Sequence, residues 1–378
     1  MSFAVQGWCP GALRPMASGD GLVVRVRPVG GRITPAQAAG IAAAARAHGN
    51  GLIDLSGRAN VQLRGVTPDS HPRLIADLAG LGLIDADPAA EARRNLIVTP
   101  FADARTDALA EALGAALADA PVLPGKFGFM VDTGPAPVMA GTPADIRLER
   151  DADGGLILRA AGMDRGASVT ESSAPAAAIA LAHWFVAAGG VQQGRGRMAA
   201  LIARGARPEG ALAGTVAPAP AAPPPGPGLC PQGALVAFEF GQMQAETFAA
   251  LGGLGPLRIT PWRMVLVEGL AALPQIAGLI TDPADPLLRV YACTGAPGCL
   301  QAAGPTRPLA RTLAPLVRGG RVLHVAGCAK GCAWPARAGL TLVATAQGFD
   351  LITNGTAQDS PARRGLSPAE LPDLPEFS

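Results

Sequence analysis

Aromatic side chains make up 4% of this 378-residue chain and charged ones 16%, and the formal net charge is only +2 at pH 7. A general nucleic-acid binder needs a concentrated basic surface, so this balance excludes that class unless the charge is focused locally. No apolar run reaches the roughly 20 residues that a membrane-spanning helix needs. The nearest candidate, residues 176–189, is interrupted by His183 and Trp184 and reads as a buried helix. No charged segment followed by an apolar run opens the chain, so no export signal is expected and a cytoplasmic location is. No Gly-x-Gly-x-x-Gly follows a strand pattern, which leaves the chain without a dinucleotide fingerprint, and no flavin module is evident. No two-histidine-one-carboxylate pattern stands out, and the four histidines form no metal triad.

What is present is a chain rich in Ala, Gly and Pro, with 49% apolar residues. Single hydrophobic cores stop growing at about 250–300 residues, so two or three domains are expected. Four of the six cysteines are crowded together as Cys293-Thr-Gly-Ala-Pro-Gly-Cys299, then 28 residues, then Cys328-Ala-Lys-Gly-Cys332. Two close pairs of thiolates supply one sulfur to each iron of a 4Fe–4S cubane. A four-thiolate zinc site is the rival, but it usually separates the members of a pair by only two to four residues. Inert buried thiols are the third reading, and the Gly- and Pro-rich surroundings of these four speak against it. Cys9 and Cys230 each precede a proline at matching places in the two halves and read as structural, since four thiolates already complete a cubane.

The chain repeats itself. Cys9-Pro10, Gly30-Gly-Arg-Ile33 and the run Gly51-Leu-Ile-Asp-Leu-Ser-Gly-Arg58-Ala-Asn-Val-Gln-Leu-Arg64-Gly65 recur in order. Their counterparts are Cys230-Pro231, Gly241-Gln-Met243 and Gly255-Pro-Leu-Arg-Ile-Thr-Pro-Trp262-Arg263-Met-Val-Leu-Val-Glu-Gly269. Arg94-Asn-Leu-Ile-Val-Thr99 corresponds to Arg289-Val-Tyr-Ala-Cys293-Thr294, and a hairpin pattern after residue 144 corresponds to one after residue 340. Each half is a small unit followed by a larger one. The boundaries read as 1–90 and 91–214, a Pro-rich extended linker at 215–228, then 229–288 and 289–378.

Local signals are those of β–α–β units. Residues 22–27 alternate as a half-buried strand does. Thr34-Pro35 supplies an N-cap and an N1 proline for a helix over 36–47, which Gly49 stops. Residues 52–55 and 61–63 read as paired strands, 107–118 and 176–188 as helices, and 145–158 as a hairpin turning at Asp153-Gly-Gly155. His48 is expected at a helix end, His71 in a loop, and His183 as a satisfied core residue. His324 is expected on a strand, supporting the cysteine loop as a donor.

The cysteine spacing and the duplication together resemble the sulfite and nitrite reductase family, over about residues 19–355. The carrying phrases are Cys9-Pro-Gly, Gly19-Asp-Gly-Leu-Val-Val-Arg25-Val-Arg27-Pro, the first cysteine pair, and His324-Val-Ala-Gly-Cys328-Ala-Lys-Gly-Cys332-Ala-Trp-Pro335. The resemblance implies an α+β (mixed α/β) fold, internally duplicated, with two ferredoxin-like half-domains joined into one unit and two sulfite-reductase-like α/β domains. It implies a 4Fe–4S cluster on Cys293, Cys299, Cys328 and Cys332. Matched residue by residue, the family's anion cradle falls on Arg58, Arg94 and Lys126. A second lysine of sulfite reductases falls on Gly128, a departure that counts against sulfite reduction. Arg25, Arg27 and Arg64 are on or beside strands and are either further cradle residues or solvated outer-face cations.

Within the family the phrases resemble most the branch that oxygenates a tetrapyrrole in aerobic cobalamin biosynthesis. That resemblance implies an iron–sulfur monooxygenase that hydroxylates precorrin-3A with γ-lactone formation. It implies dioxygen as oxygen source, NADH as ultimate electron donor through a separate reductase, and a mononuclear non-haem iron of unassigned ligands. Two alternatives stand. One is a sulfite or nitrite reductase with sirohaem bridged to the cluster through Cys332. The other is a non-catalytic zinc-stapled or tetrapyrrole-binding protein.

Overall fold

The structure, a computed structural model, describes residues 10–134 and 136–377. Cys9 lies outside the described residues. Four sheets account for the fold, and they come as two matched pairs.

The first half-domain builds an antiparallel sheet from Met16–Ser18, Gly21–Val26, Val61–Val66 and Leu52–Leu55. Its last strand, Gln242–Gln244, belongs to the second half of the chain and pairs with Leu52–Leu55. The second half-domain repeats the order with Gly228–Cys230, Gly233–Phe238, Met264–Glu268 and Leu257–Ile259, and it takes its last strand, Arg32–Ile33, from the first half. Each half-domain thus completes its partner's sheet. In both halves the lent strand follows a short 3-10 turn with a left-handed residue, Gly30 in one and Phe240 in the other. The two helices behind the sheets, Pro35–His48 and Ala245–Leu254, pack on one another in a core shared by both halves, with Val24, Ile41 and Leu63 on one side and Val236, Phe248 and Val265 on the other. The first helix starts in a full capping box, Thr34 and Gln37 bonding to each other's backbone N–H, as the Thr-Pro start predicted.

The charges that lock the exchanged strands are inverted between the halves. In the first sheet Arg64 pairs with Asp54 across neighbouring strands at 3.1 Å, and the visiting Gln242 donates to the same Asp54 at 2.7 Å. At the matching positions of the second sheet stand Glu268 and Arg258, 2.6 Å apart, with the visiting Arg32 donating to Glu268 at 2.7 Å. Arg258 also holds Asp107 with two bonds of 2.8 and 2.7 Å, which ties the second half-domain to the helix Ala104–Ala116 of the first half's larger domain.

The two larger sheets share one topology. Leu96–Val98, Phe129–Asp132 and Ile146–Arg150 run parallel, followed by antiparallel Leu156–Ala160 and Ala167–Ser168. In the second copy Val290–Ala292, Leu323–Ala326 and Ala338–Thr345 are parallel, followed by Gly348–Gly355 and Arg363–Leu366. Each has its own core. In the Pro-rich segment, Ala219 and Ala222 donate to the carbonyls of Arg150 and Pro137, so this stretch lies along the first α/β domain until the strand at Gly228 begins.

Three sequence expectations are corrected, and one of two open readings is excluded. The helix Ala174–Ala187 is buried on one face only: Ala176, Ala180, His183 and Ala187 form an exposed stripe. Alanine tolerates solvent, so an apolar run rich in it does not signal burial. His183 is accordingly exposed and donates to the Asp119 carbonyl at 3.1 Å. His71 opens the helix His71–Gly80 instead of lying in a loop, because Pro72 suits a first helical turn. Arg25, Arg27 and Arg64 are buried, not on a solvated outer face.

The contact between the two half-domain helices yields a paired prediction. A Cβ at the buried Gly252 would meet that of Ala38 at 2.3 Å, whereas one at the exposed Gly253 would meet nothing within 4 Å. Alanine favours a helix over glycine by about 1 kcal/mol, but overpacking costs about 1–3 kcal/mol. Gly253→Ala is expected to raise the thermal midpoint and Gly252→Ala to lower it, measured by circular dichroism. Equal effects of the two would mean the helices do not pack this closely.

Candidate iron–sulfur site

Cys293 follows directly on the strand Val290–Ala292, and Cys328 comes two residues after the end of Leu323–Ala326. These two strands are parallel neighbours, with Tyr291 opposite His324. Their loops therefore emerge side by side at the carboxyl edge of the sheet, where open α/β sheets form binding crevices. The same edge of the first α/β sheet carries Thr99 and Thr133 and no thiol.

Backbone contacts shape the two loops. Gly327 donates its N–H to the Cys293 sulfur at 3.1 Å, and the N–H of Lys330 bonds the Cys328 sulfur. Ala303 N–H bonds the Gly327 carbonyl at 2.8 Å, which fastens one loop to the other. Gly295 has φ +68°, and a Cβ there would lie within 2.8 Å of the Thr306 backbone, so this turn needs glycine. The first loop is also clamped from the first half-domain: the Gly298 carbonyl accepts from Ser18 Oγ at 2.6 Å, Gly19 N–H at 3.2 Å and Arg64 Nη2 at 3.2 Å. Arg64 is held in turn by Asp20 and Asp54. Its sequence reading as cradle residue or outer-face cation gives way to a structural clamp.

Burial pushes the Cys328 and Cys332 thiols up, and the neighbouring Cys293 and Cys299 push in the same direction, while Lys330 opposes them. The four sulfurs are thus within electrostatic reach of one another. Cys332 is exposed on one side although much protein surrounds it. Among the described residues, no three His, Cys, Asp or Glu side chains are placed to hold a single metal ion. Tetrahedral zinc draws its sulfurs to about 2.3 Å from one point. A cubane spreads them over four irons, and thiols with N–H donors to sulfur are the donor set it takes. The residues present fit a 4Fe–4S cluster. They do not fit a mononuclear iron, for which no ligand set exists among the described residues.

The cations divide into committed and available ones. Arg94 is committed: it holds Asp85 with two bonds of 2.7 and 2.8 Å and the Arg27 carbonyl at 2.8 Å. Arg27 in turn donates to the Glu91 carbonyl. Lys126 is exposed in the loop before Phe129–Asp132. Arg58 is half-buried in the turn between Leu52–Leu55 and Val61–Val66, and its Nε is buried without a hydrogen-bond partner. The Ser56 hydroxyl caps this turn by accepting from Arg58 and Asn60 N–H, and Thr260 caps the matching turn through Trp262 and Met264.

That matching turn carries Arg263, which the sequence reading passed over. Arg263 donates to the Ala333 carbonyl at 3.1 Å, one residue from Cys332, and lies 5.9 Å from the ring of Tyr291. The ring of Tyr291 packs tilted against Trp334, with centroids 4.2 Å apart. Arg307, at the start of Arg307–Leu313, was also missed. It lies 3.8 Å from Asp54, its Nε is buried without a partner, and it borders a cavity of about 460 Å³ with Phe240, Gln242 and Arg311. A basic residue in the repeated turn was a legible signal for Arg263; no sequence signal marks Arg307.

His324 is fully buried, and neither ring nitrogen has a hydrogen-bond partner, so it is not the donor to the cysteine loop that its position led us to expect. Burial, with the Arg263 charge adding to it, depresses its pKa from 6.5 to about 4. A histidine depressed in the folded state is uncharged there while the unfolded chain takes up a proton. Stability is therefore full above about pH 6.5 and falls as pH drops toward 4, by about 3 kcal/mol at one pKa unit per 1.36 kcal/mol. Denaturant titrations of the cluster-free protein should show His324→Phe flattening this acid limb. An unchanged limb would exclude His324 as its source.

Residues 14–81 match the nitrite/sulfite reductase ferredoxin-like half domain. Over 400 aligned residues the chain is 29% identical to a precorrin-3B synthase of Sinorhizobium sp, with 94% of this chain and 84% of that one covered. Among solved structures, the Mycobacterium tuberculosis NirA protein superposes with a TM-score of 0.67 at 18% identity, covering 94% of this chain and 79% of that one, which is a likeness of fold. Sequence match, sheet topology and reciprocal duplication together make the chain similar to the nitrite/sulfite reductase ferredoxin-like half domain over residues 14–81 and to the NirA fold over nearly its whole length.

Proposed function

We propose that this protein is an iron–sulfur monooxygenase that hydroxylates precorrin-3A, with γ-lactone formation, in aerobic cobalamin biosynthesis. The likeness to a precorrin-3B synthase over 94% of the chain supports the substrate. The observation that carries the choice over sulfite reduction is at Gly128. A Cβ there would lie 2.7 Å from Nδ2 of Asn95, which is buried and bonded to the Phe127 carbonyl at 2.7 Å. Gly128 N–H is itself bonded to Asp145 at 3.0 Å. The position that holds a second lysine in sulfite reductases has no room for a side chain, which supports a site made for something other than a small oxyanion.

A 4Fe–4S cluster, when bound, supplies electrons one at a time. Cys293, Cys299, Cys328 and Cys332 would hold it. The chain's own contribution is positioning. Arg58 and Lys126 have cationic capacity left for the acetate and propionate carboxylates of a tetrapyrrole, and arginine keeps its charge when buried. Arg94 contributes indirectly, by holding Asp85 and the backbone of Arg27. Holding the macrocycle by its rim fixes the meso carbon that receives oxygen. In the overall reaction one oxygen atom of dioxygen enters the product and the other leaves as water, with two electrons from NADH delivered by a separate reductase. Among the described residues no helix is long and apolar enough to cross a membrane.

The test is a reaction of the reduced protein with precorrin-3A under ¹⁸O-labelled dioxygen, with sulfite in a parallel assay. One labelled oxygen in a lactone product and no sulfide are expected. An unlabelled product, or rapid sulfide formation, would remove the reading. Arg58→Ala should weaken substrate binding by roughly ten- to a hundred-fold, from about 1.5–3 kcal/mol per charge-assisted contact, with the cluster's absorption unchanged.

A further inference from the structure

Two part-buried cations beside the cysteine loops lack matching anions. Arg263 has, among the described residues, no carboxylate within ion-pair distance; its hydrogen bond goes to the Ala333 carbonyl and its charge lies over Tyr291. Arg307 has only Asp54, at 3.8 Å. That carboxylate is already shared by Arg64 and Gln242, one on each oxygen. Arg311, the other cation over the Phe240 ring, is by contrast closely paired with Glu239 at 2.6 Å. Burial pushes both the Arg263 and Arg307 guanidiniums down, and for both Cys293 is among the groups that oppose this. A buried cation without an anion is costly, so such groups normally face one.

The duplication shows which anion. The turn that holds Arg263 exists in both halves with the same left-handed residue, at φ 53° in the first and 61° in the second. The first half fills it with Ala59, the second with Arg263. Only the second half has the thiols. At this left-handed position the cation appears in the copy where the cysteines appear, whereas the first-half turn carries its arginine, Arg58, one residue earlier; Arg307 opens the helix that follows the first cysteine loop. A 4Fe–4S cubane on four thiolates carries a double negative charge when oxidised and one more when reduced.

We propose that Arg263 and Arg307 are the counter-cations of the cluster, flanking it from the Cys332 and Cys293 sides, and that their charge favours the reduced form. This rests on the cluster reading above. Positive charge stabilises the more negative state, so removing it lowers the reduction potential. These are positioning residues for electron transfer and touch no reacting atom of the substrate.

The experiment is a dithionite titration followed by electron paramagnetic resonance, on unmutated protein and on Arg263→Met, Arg263→Lys, Arg307→Met and Arg307→Lys, with iron and sulfide measured in each. Each methionine variant should lower the ratio of reduced to oxidised cluster at a given potential by about tenfold, which is about 59 mV for one electron. The lysine variants should stay near the unmutated value. If a methionine variant cannot hold the cluster, a lysine variant that holds it at the original potential supports the proposal equally. Loaded methionine variants with unshifted potentials would overturn it, as would loss of the cluster from either lysine variant. Absence of any cluster signal from the unmutated protein would instead remove the cluster reading itself.

Discussion

The exchange of one edge strand between the two half-domains is the constraint on which the rest depends. Arg32–Ile33 completes the second sheet and Gln242–Gln244 completes the first. Neither half completes its sheet alone, and the two halves share one core with the larger domains on either side of it. The inverted ion pairs anchor each visiting strand: Gln242 donates to Asp54 and Arg32 to Glu268. A one-residue slip would turn each strand's apolar face to solvent.

The same pairs carry the exchange outward to the site. Arg64 extends from Asp54 to the carbonyl of Gly298 in the first cysteine loop, and Arg258 extends from Glu268 to Asp107 in the other larger domain. Each half-domain therefore braces the α/β domain of the opposite half. The cysteine loops are fixed on one side by their own sheet and on the other by Ser18, Gly19 and Arg64 from the far end of the chain. The four thiols of these loops are free, with no disulfide among them.

Much of this was legible. The cysteine spacing, the order of repeated blocks, the Thr34 cap and the hairpin near Asp153 are local signals, and local signals survive in a single sequence. The strand exchange was not legible, because Arg32–Ile33 is two residues long and has no periodicity to read. Burial of Arg25, Arg27 and Arg64 was hidden because their partners lie in loops or on other strands, as Asp20 and Asp54 do for Arg64. Arg94 was matched to a cradle by its neighbours in sequence, but the nearby Asp85 occupies it. His324 was read from its place before Cys328, whereas its unbonded burial depends on the packing of distant segments, Gly331 of the second cysteine loop lying close to its ring. The copies differ at Ala59 and Arg263 in the matching turn, and at Thr99 and Cys293, the residues that follow matching strands.

The central claim is that two loops at one sheet edge hold a single cubane. Iron, acid-labile sulfide and zinc in anaerobically purified protein, with Mössbauer spectra of the iron-57-labelled form, test it most directly. About four irons and four sulfides per chain, in one valence-delocalised environment, are predicted. About one zinc per chain with no sulfide would contradict it.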